Sequence, residues 1–129
     1  MSNVLLVDDE EIVRRIVERT LHNDCTVTAV SSFQEARIVL DEMEPDVAVV
    51  DWLLESENDG GDVIRHLHAR WPDARVIVIS GLPLTAIEQQ VRELNVFWFL
   101  TKPFTLDQLA RAVRSALEEP CGPHALHVC

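Results

Sequence analysis

Five short apolar runs recur along the chain and limit what it can fold into. They lie at residues 4–7, 26–30, 47–50, 76–79 and 96–100. Most of these runs are almost continuously apolar, and β-branched residues dominate the third and fourth, which is typical of strands covered on both faces in a parallel sheet. Segments with helical periodicity lie between and after the runs. The alternation predicts an α/β fold in which a five-stranded parallel sheet is doubly wound, with helices on both faces.

Apolar stripes mark the faces on which the predicted helices pack. In the first helix the stripe is Ile12, Val13, Ile16, Val17 and Leu21. In the fifth helix it is Leu106, Leu109, Ala110, Val113 and Leu117. Residues three and four positions apart share one side of a helix, so we expect both stripes to face the sheet.

Length, charge and cysteine content disfavour several classes of protein. The chain has 129 residues, which suits one domain, and its formal net charge of −11 at pH 7 disfavours direct binding to nucleic acid or to an anionic membrane. Three cysteines do not make a dense disulfide framework, and the first residues do not resemble a signal peptide. No apolar run approaches the length of a membrane span. We therefore expect a soluble, cytoplasmic protein.

Polar side chains follow four of the apolar runs, at the points where the predicted strands end. Asp8 and Asp9 follow the first run, Asp51 the third, Ser80 the fourth, and Lys102 lies just beyond the fifth. Because the carboxyl ends of parallel strands meet at one edge, where such sheets bind ligands, we expect these groups to lie close together. Taken singly, each has a simpler explanation, such as a helix cap or a turn residue. Their shared position favours a site.

This set of side chains indicates a particular chemistry. Crowded carboxylates repel one another unless a cation lies between them, and Mg²⁺ prefers oxygen ligands of this kind. A phosphoryl group could bind with the metal on one side, while Lys102 and Ser80 donate hydrogen bonds to it from the other side. One carboxylate could then attack phosphorus and form an aspartyl phosphate.

Four motifs carry a resemblance to a known family. They are VLLVDDE at 4–10, VAVVDW at 47–52, VIVISG at 76–81 and FLTKPF at 99–104. In this order and at these spacings, residues 3 to about 118 resemble the receiver domains of two-component response regulators, of the chemotaxis-regulator type. The resemblance implies a (βα)5 flavodoxin-like fold for a receiver domain over residues 1–119.

The resemblance also implies roles for the acidic residues. Asp51 would be the phosphoacceptor, and Asp8 and Asp9 would hold Mg²⁺ together with Asp51 and the backbone carbonyl of Leu53. The family pattern places a glycine eight residues after the phosphoacceptor, whereas Gly60 is nine residues after Asp51. We therefore predict one inserted residue in the acidic loop that begins at Leu53.

Further roles follow from the same resemblance. Ser80 and Lys102 would contact the phosphoryl group, and the Lys102–Pro103 peptide bond would be cis. Phe99 would act with Ser80 as a switch that changes a protein-interaction surface. The phosphoryl donor would be a histidine kinase or histidine phosphotransfer protein, and the output would pass to an unknown downstream protein or output domain. The fourth and fifth helices would offer a face for a homodimer.

The last ten residues, 120–129, lack periodicity and are predicted to form a disordered tail. They include Cys121, His124, His127 and Cys129, which in principle could bind a metal, although their spacing matches no standard zinc pattern. A flexible tail is the favoured interpretation.

Two other functions are consistent with part of the sequence. A haloacid-dehalogenase-like phosphatase also uses an aspartate nucleophile, Mg²⁺ and a lysine, but it needs an aspartate two residues after the nucleophile, where this chain has Leu53. A degenerate receiver would serve only as an interaction module. The receiver function, in which the protein catalyses only its own phosphorylation and dephosphorylation, is the one that uses every polar group at the strand ends.

Overall fold

A computed structural model describes residues 1–54, 59–120 and 124–128 of the chain. Its strands are β1 (Ser2–Val7), β2 (Cys25–Val30), β3 (Val47–Asp51), β4 (Arg75–Ser80), β5 (Trp98–Thr101) and β6 (His127–Val128). Its helices are α1 (Glu11–Leu21), α2 (Phe33–Glu42), α3 (Gly60–Arg70), α4 (Leu84–Glu93) and α5 (Leu106–Glu118). The predicted insertion follows Leu53, and residues 55–58 of that stretch lie outside the described residues.

The strands form one parallel sheet in the order β2-β1-β3-β4-β5-β6. The chain runs outward from β1 to β2 on one side and from β3 to β5 on the other, so the strand order reverses between β1 and β3. This reversal is the place where open α/β sheets bind ligands at the carboxyl ends of their strands. The predicted doubly wound flavodoxin-like architecture is confirmed.

Two apolar cores lie on opposite faces of the sheet. Alternate residues of each strand point to opposite faces, so Leu5 and Val7 of β1 join the core beneath α2, α3 and α4, whereas Val4 and Leu6 join the core beneath α1 and α5. Because both faces are covered, the strands are apolar almost throughout, as the sequence predicted. Among the residues that the structure describes, the helices lack the length and apolar character that crossing a membrane requires.

The sheet has a sixth strand where the sequence predicted five strands and an unstructured tail. His127 and Val128 pair in parallel with Trp98 and Phe99. Two residues are too few to show a strand periodicity, so the sequence pattern did not reveal this pairing. Of the four tail residues considered as metal ligands, Cys121 and Cys129 lie outside the described residues.

The prediction that the apolar stripe of α1 packs on the sheet is correct only in part. Val17 and Leu21 are buried, but Ile12 is 72% exposed and Ile16 is 41% exposed. Leu106, at the start of α5, is likewise 49% exposed. Helix α1 is rotated so that only one edge of its apolar stripe faces the sheet. The rest of the stripe forms an exposed apolar surface beside the carboxyl ends of the strands.

Candidate functional site

Four carboxylates meet at the carboxyl ends of β1 and β3. They belong to Asp8, Asp9, Glu10 and Asp51, each of which has a carboxylate oxygen within 4.8 Å of the others. Asp8 is completely buried and Asp51 is 4% exposed. The structure therefore brings together the three aspartates predicted from the sequence and adds Glu10, which the sequence analysis missed.

The strand register places the two buried aspartates side by side. Val7 of β1 is aligned with Val50 of β3, and the next residues along the two strands are Asp8 and Asp51. The backbone N–H of Asp8 continues the sheet by donating to the carbonyl of Val30 at 3.1 Å. Neighbouring strands are less than 5 Å apart, so this register forces two acidic side chains into proximity.

Lys102 reaches this cluster from the end of β5. Its Nζ lies 2.9 Å from Oε1 of Glu10, 3.1 Å from Oδ2 of Asp51 and 3.6 Å from Oδ2 of Asp8. The backbone N–H of Lys102 donates to the carbonyl of Ser80 at 2.7 Å, and the following peptide bond to Pro103 is cis. The ammonium group is thus close to three carboxylates and compensates part of their charge.

One oxygen of the buried Asp8 carboxylate lacks a hydrogen bond. Oδ1 accepts one from the backbone N–H of Glu10 at 2.9 Å, but Oδ2 has no hydrogen-bond partner among the described residues. Its nearest cation, the Lys102 ammonium, is 3.6 Å away. Buried polar atoms normally have partners, and a carboxylate oxygen aimed into an acidic cluster can serve as a ligand for a hard cation. The residues present therefore fit a divalent metal.

Burial and mutual repulsion alter the acidity of the site. Burial, followed by the charge of Asp8, raises the pKa of Asp51 to about 6, although Lys102 acts in the opposite direction. Burial also raises the pKa of Asp8. Burial alone would lower the pKa of Lys102, but its hydrogen bond to Glu10 and the charges of Asp51 and Asp8 together raise it above the usual value. Lys102 is therefore a permanent cation, whereas the aspartates are held together at an electrostatic cost that a metal would relieve.

The other predicted residues surround the carboxylate cluster or lie behind it. Ser80 is fully buried, and its Oγ accepts a hydrogen bond from the backbone N–H of Leu82 at 2.9 Å. Phe99 is fully buried in the core beneath α2, α3 and α4. The side chain of Leu53 is exposed, and its backbone N–H lies 3.3 Å from Oδ1 of Asp51. The switch role of Phe99 and the metal-binding role of the Leu53 carbonyl remain predictions.

Gly60 fixes the start of α3 against the end of β3. Its N–H donates to the carbonyl of Trp52 at 3.0 Å, and the position where a side chain would begin lies only 2.4 Å from the carbonyl oxygen of Asp51. A capping box between Asp59 and Asp62 holds the first turn of the helix. The backbone of Asp51 is therefore positioned from both sides, by β4 and by α3.

Comparison with known proteins identifies the family. A family model described as the response regulator receiver domain matches residues 4–114. The chain belongs to this family. The resemblance predicted from the sequence is thereby confirmed, and the protein is a receiver domain of the two-component type.

Relatives of this receiver domain include longer signalling proteins. It is 36% identical over 121 residues to the sensor kinase CckA of Brucella abortus, covering 92% of this chain and 13% of CckA. It is also 36% identical over 119 residues to the regulatory protein VirG of Agrobacterium tumefaciens, covering 91% of this chain and 44% of VirG. The chain thus spans less than half the length of either relative.

Solved structures share its fold. A response regulator receiver protein from Sinorhizobium medicae is 32% identical with a TM-score of 0.80, covering 90% of this chain and 94% of that one. The chemotaxis protein CheY4 of Vibrio cholerae has a TM-score of 0.84 at 20% identity, covering 91% of this chain and 99% of that one, which shows likeness of fold.

Glu10 is the acidic residue that sequence reasoning left out. It directly follows Asp8 and Asp9, so its position in an acidic run was a signal that could have drawn attention to it. Its link to Lys102 joins residues 92 positions apart. Only the folded chain shows that a glutamate of β1–α1 pairs with the lysine that follows β5.

Proposed function

We propose that this receiver domain accepts a phosphoryl group on Asp51. The observation that carries the proposal is the position of the Asp51 carboxylate, at the point where strand order reverses, beside the Lys102 ammonium at 3.1 Å and within a carboxylate cluster suited to a metal. An oxygen of Asp51 forms a bond to phosphorus as the phosphorus–nitrogen bond of a donor phosphohistidine breaks. The electron pair of that bond leaves with the imidazole.

Asp8, Asp9 and Asp51, with the backbone carbonyl of Leu53, are the proposed Mg²⁺ ligands. Oδ2 of Asp8 supports this assignment, since it is buried, has no hydrogen-bond partner among the described residues and belongs to a carboxylate of the cluster. Bound Mg²⁺ would neutralise part of the negative charge that the phosphoryl group brings to the cluster. Glu10 already pairs with Lys102, so we assign it the role of holding the lysine at the site.

Lys102 and Ser80 are the proposed phosphoryl-binding residues. The Lys102 ammonium is within hydrogen-bond distance of Oδ2 of Asp51, which places a positive charge beside the carboxylate that would carry the phosphoryl group. The Ser80 hydroxyl accepts from Leu82, which leaves its own proton free to be donated to a phosphoryl oxygen. Movement of Ser80 toward this group is the step that we propose to be coupled to Phe99.

An apolar surface beside the site supports a protein as the phosphoryl donor. Ile16 of α1 and Leu106 of α5 are exposed and line a shallow, largely apolar cavity that extends to Lys102. Ile12, one turn before Ile16 on α1, is exposed as well. Exposed apolar patches of this kind mark protein-binding surfaces. A histidine kinase or histidine phosphotransfer protein would present its phosphohistidine to Asp51 by covering this surface. A downstream protein or output domain would then read the modified state.

Phosphorylation by a small donor tests the proposed function. Incubation with acetyl phosphate or phosphoramidate and Mg²⁺ is expected to add one phosphoryl mass to the protein, measured as intact mass. Asp51→Asn is expected to abolish the gain, because an amide is a poor nucleophile. Asp24→Asn removes an exposed carboxylate at the opposite end of the sheet and should leave the gain unchanged. An unmodified parent protein would favour the degenerate receiver, and an undiminished gain in Asp51→Asn would place the modification elsewhere.

Mg²⁺ binding to the unmodified protein is expected to depend on Asp8. Trp52 is buried and directly follows Asp51, so its fluorescence should change saturably as Mg²⁺ is added. Asp8→Asn should weaken binding by at least tenfold, because it removes a charged ligand from a buried position. The matched control is again Asp24→Asn, which makes the same charge change far from the site. Equal Mg²⁺ affinities for Asp8→Asn and the parent would move the metal site away from Asp8.

A further inference from the structure

The C-terminal segment 124–128 lies along the outer edge of β5. Its backbone joins the sheet, since the N–H of His127 donates to the carbonyl of Phe97 at 3.0 Å. The register pairs Trp98 with His127 and Phe99 with Val128 in parallel. The segment therefore occupies hydrogen-bonding positions that would otherwise form the open edge of the sheet.

Aromatic contacts hold the same segment. The imidazole of His127 stacks on the indole of Trp98, with the ring centroids 4.8 Å apart and the planes at 17°, and it lies 4.7 Å from the ring of Phe97. The imidazole of His124 meets Phe97 edge-on, with the ring centroids 5.0 Å apart, and Leu126 packs against the core beneath α2, α3 and α4. Phe97 is fully buried, and the two tail histidines cover part of its ring.

Arg75 links Pro120, which follows α5, to the ring of Phe97 that the tail covers. It is 7% exposed at the start of β4, its Nη2 donates to the carbonyl of Pro120, and its guanidinium carbon lies 4.5 Å from the centre of the Phe97 ring. Glu119 adds an acidic partner, with Oε1 lying 3.5 Å from Nε2 of His127. A buried arginine, a backbone pairing and a ring stack thus all hold residues 124–128 against the edge of β5.

We propose that residues 124–128 form an intramolecular strap that closes the β5 edge and prevents the receiver from associating with a second copy through that edge. An open strand edge is a template for pairing with another chain, and two identical edges can pair about a twofold axis. The opposite edge strand, β2, includes the polar residues Thr26 and Thr28. The β5 edge instead has Phe97 and Trp98, which displacement of the strap would expose. The strap thus covers the more association-prone edge.

The test displaces the strap by changing its backbone. His127→Pro removes the N–H that bonds to Phe97 and the imidazole that stacks on Trp98. Sedimentation velocity is expected to show the parent protein as one copy, and the variant with a concentration-dependent mass rising toward twice that value. Because each copy has a net charge of −11, added salt should strengthen this association. The control is Val128→Ser, which changes an exposed side chain, keeps the backbone pairing and should remain a single copy.

Hydrogen exchange of the paired amides makes each outcome decisive. We expect protection of the His127 amide in the parent, since it donates to the carbonyl of Phe97. The Phe99 amide faces the strap in the parallel ladder, so it should be protected in the parent and exchange faster in His127→Pro at concentrations where the variant is a single copy. A variant that loses this protection and stays a single copy overturns the proposal. Retained protection would also overturn it, because the ladder bond and the ring stack would then not hold the strap.

Discussion

Replacing Gly60 with alanine is expected to lower the free energy of unfolding by about 3 kcal/mol. The added methyl group would lie 2.4 Å from the carbonyl oxygen of Asp51 and 2.9 Å from Cα of Trp52. Both are backbone atoms, so neither can move aside by a change of rotamer. Relief requires α3 to shift away from the end of β3, which would also displace Asp51. Chemical denaturation measures the loss of stability, and a Mg²⁺ titration of the folded variant should show weaker binding.

Gly61→Ala is the matched control for this prediction. Its methyl group would lie 3.1 Å from Oδ1 of Asp59, a capping side chain that must move by only a few tenths of an ångström, and 3.4 Å from Nη1 of Arg65, the end of a flexible side chain. Alanine is also favoured over glycine within a helix by about 0.5–1 kcal/mol. We expect stability equal to that of the parent or slightly above it. If Gly60→Ala is as stable as Gly61→Ala, the close approach of α3 to β3 does not constrain the site.

Asp51→Asn is expected to stabilise the protein at neutral pH when divalent metal is absent. Burial, followed by the charge of Asp8, raises the pKa of Asp51 from 3.8 to about 6, so the ionised side chain disfavours folding. A shift of this size corresponds to at most about 3 kcal/mol. Loss of the charge also removes a partner of Lys102, which keeps its contact with Glu10 at 2.9 Å. We therefore expect a net gain of about 1–2 kcal/mol in the free energy of unfolding.

The sign of the pH dependence follows from the direction of this shift. A group with a raised pKa in the folded state favours folding while it is protonated, and this contribution is lost as the pH rises from about 4 through about 6. The advantage of Asp51→Asn over the parent should therefore be small near pH 4 and reach a plateau above pH 7. Denaturation at several pH values in the presence of a chelator measures this difference. Asp24→Asn should show no comparable gain.

Metal provides a second check on the same carboxylate. Mg²⁺ binding favours the ionised cluster, so adding it should raise the stability of the parent more than that of Asp51→Asn and narrow the difference between them. A difference that is independent of both pH and Mg²⁺ would show that the buried charge of Asp51 is not its source.

Much of the site was predictable because its residues directly follow apolar runs. Once strands are recognised from those runs, a parallel sheet brings their carboxyl ends to one edge, and Asp8, Asp51 and Lys102 must lie near one another. The strand and helix pattern therefore determined the fold and the neighbourhood of the predicted site. This reasoning needs only local patterns and the geometry of parallel sheets.

Contacts between segments far apart in the chain were decided by the tertiary structure. Which edge of the α1 stripe meets the sheet depends on the rotation of the helix, so Val17 is buried and Ile12 is exposed although both belong to one stripe. The pairing of His127 with Trp98 involves too few residues to leave a periodic signal. The contact between Glu10 and Lys102 spans 92 positions. Sequence periodicity records only which side of its own element a residue occupies, whereas these contacts depend on how the elements pack against one another.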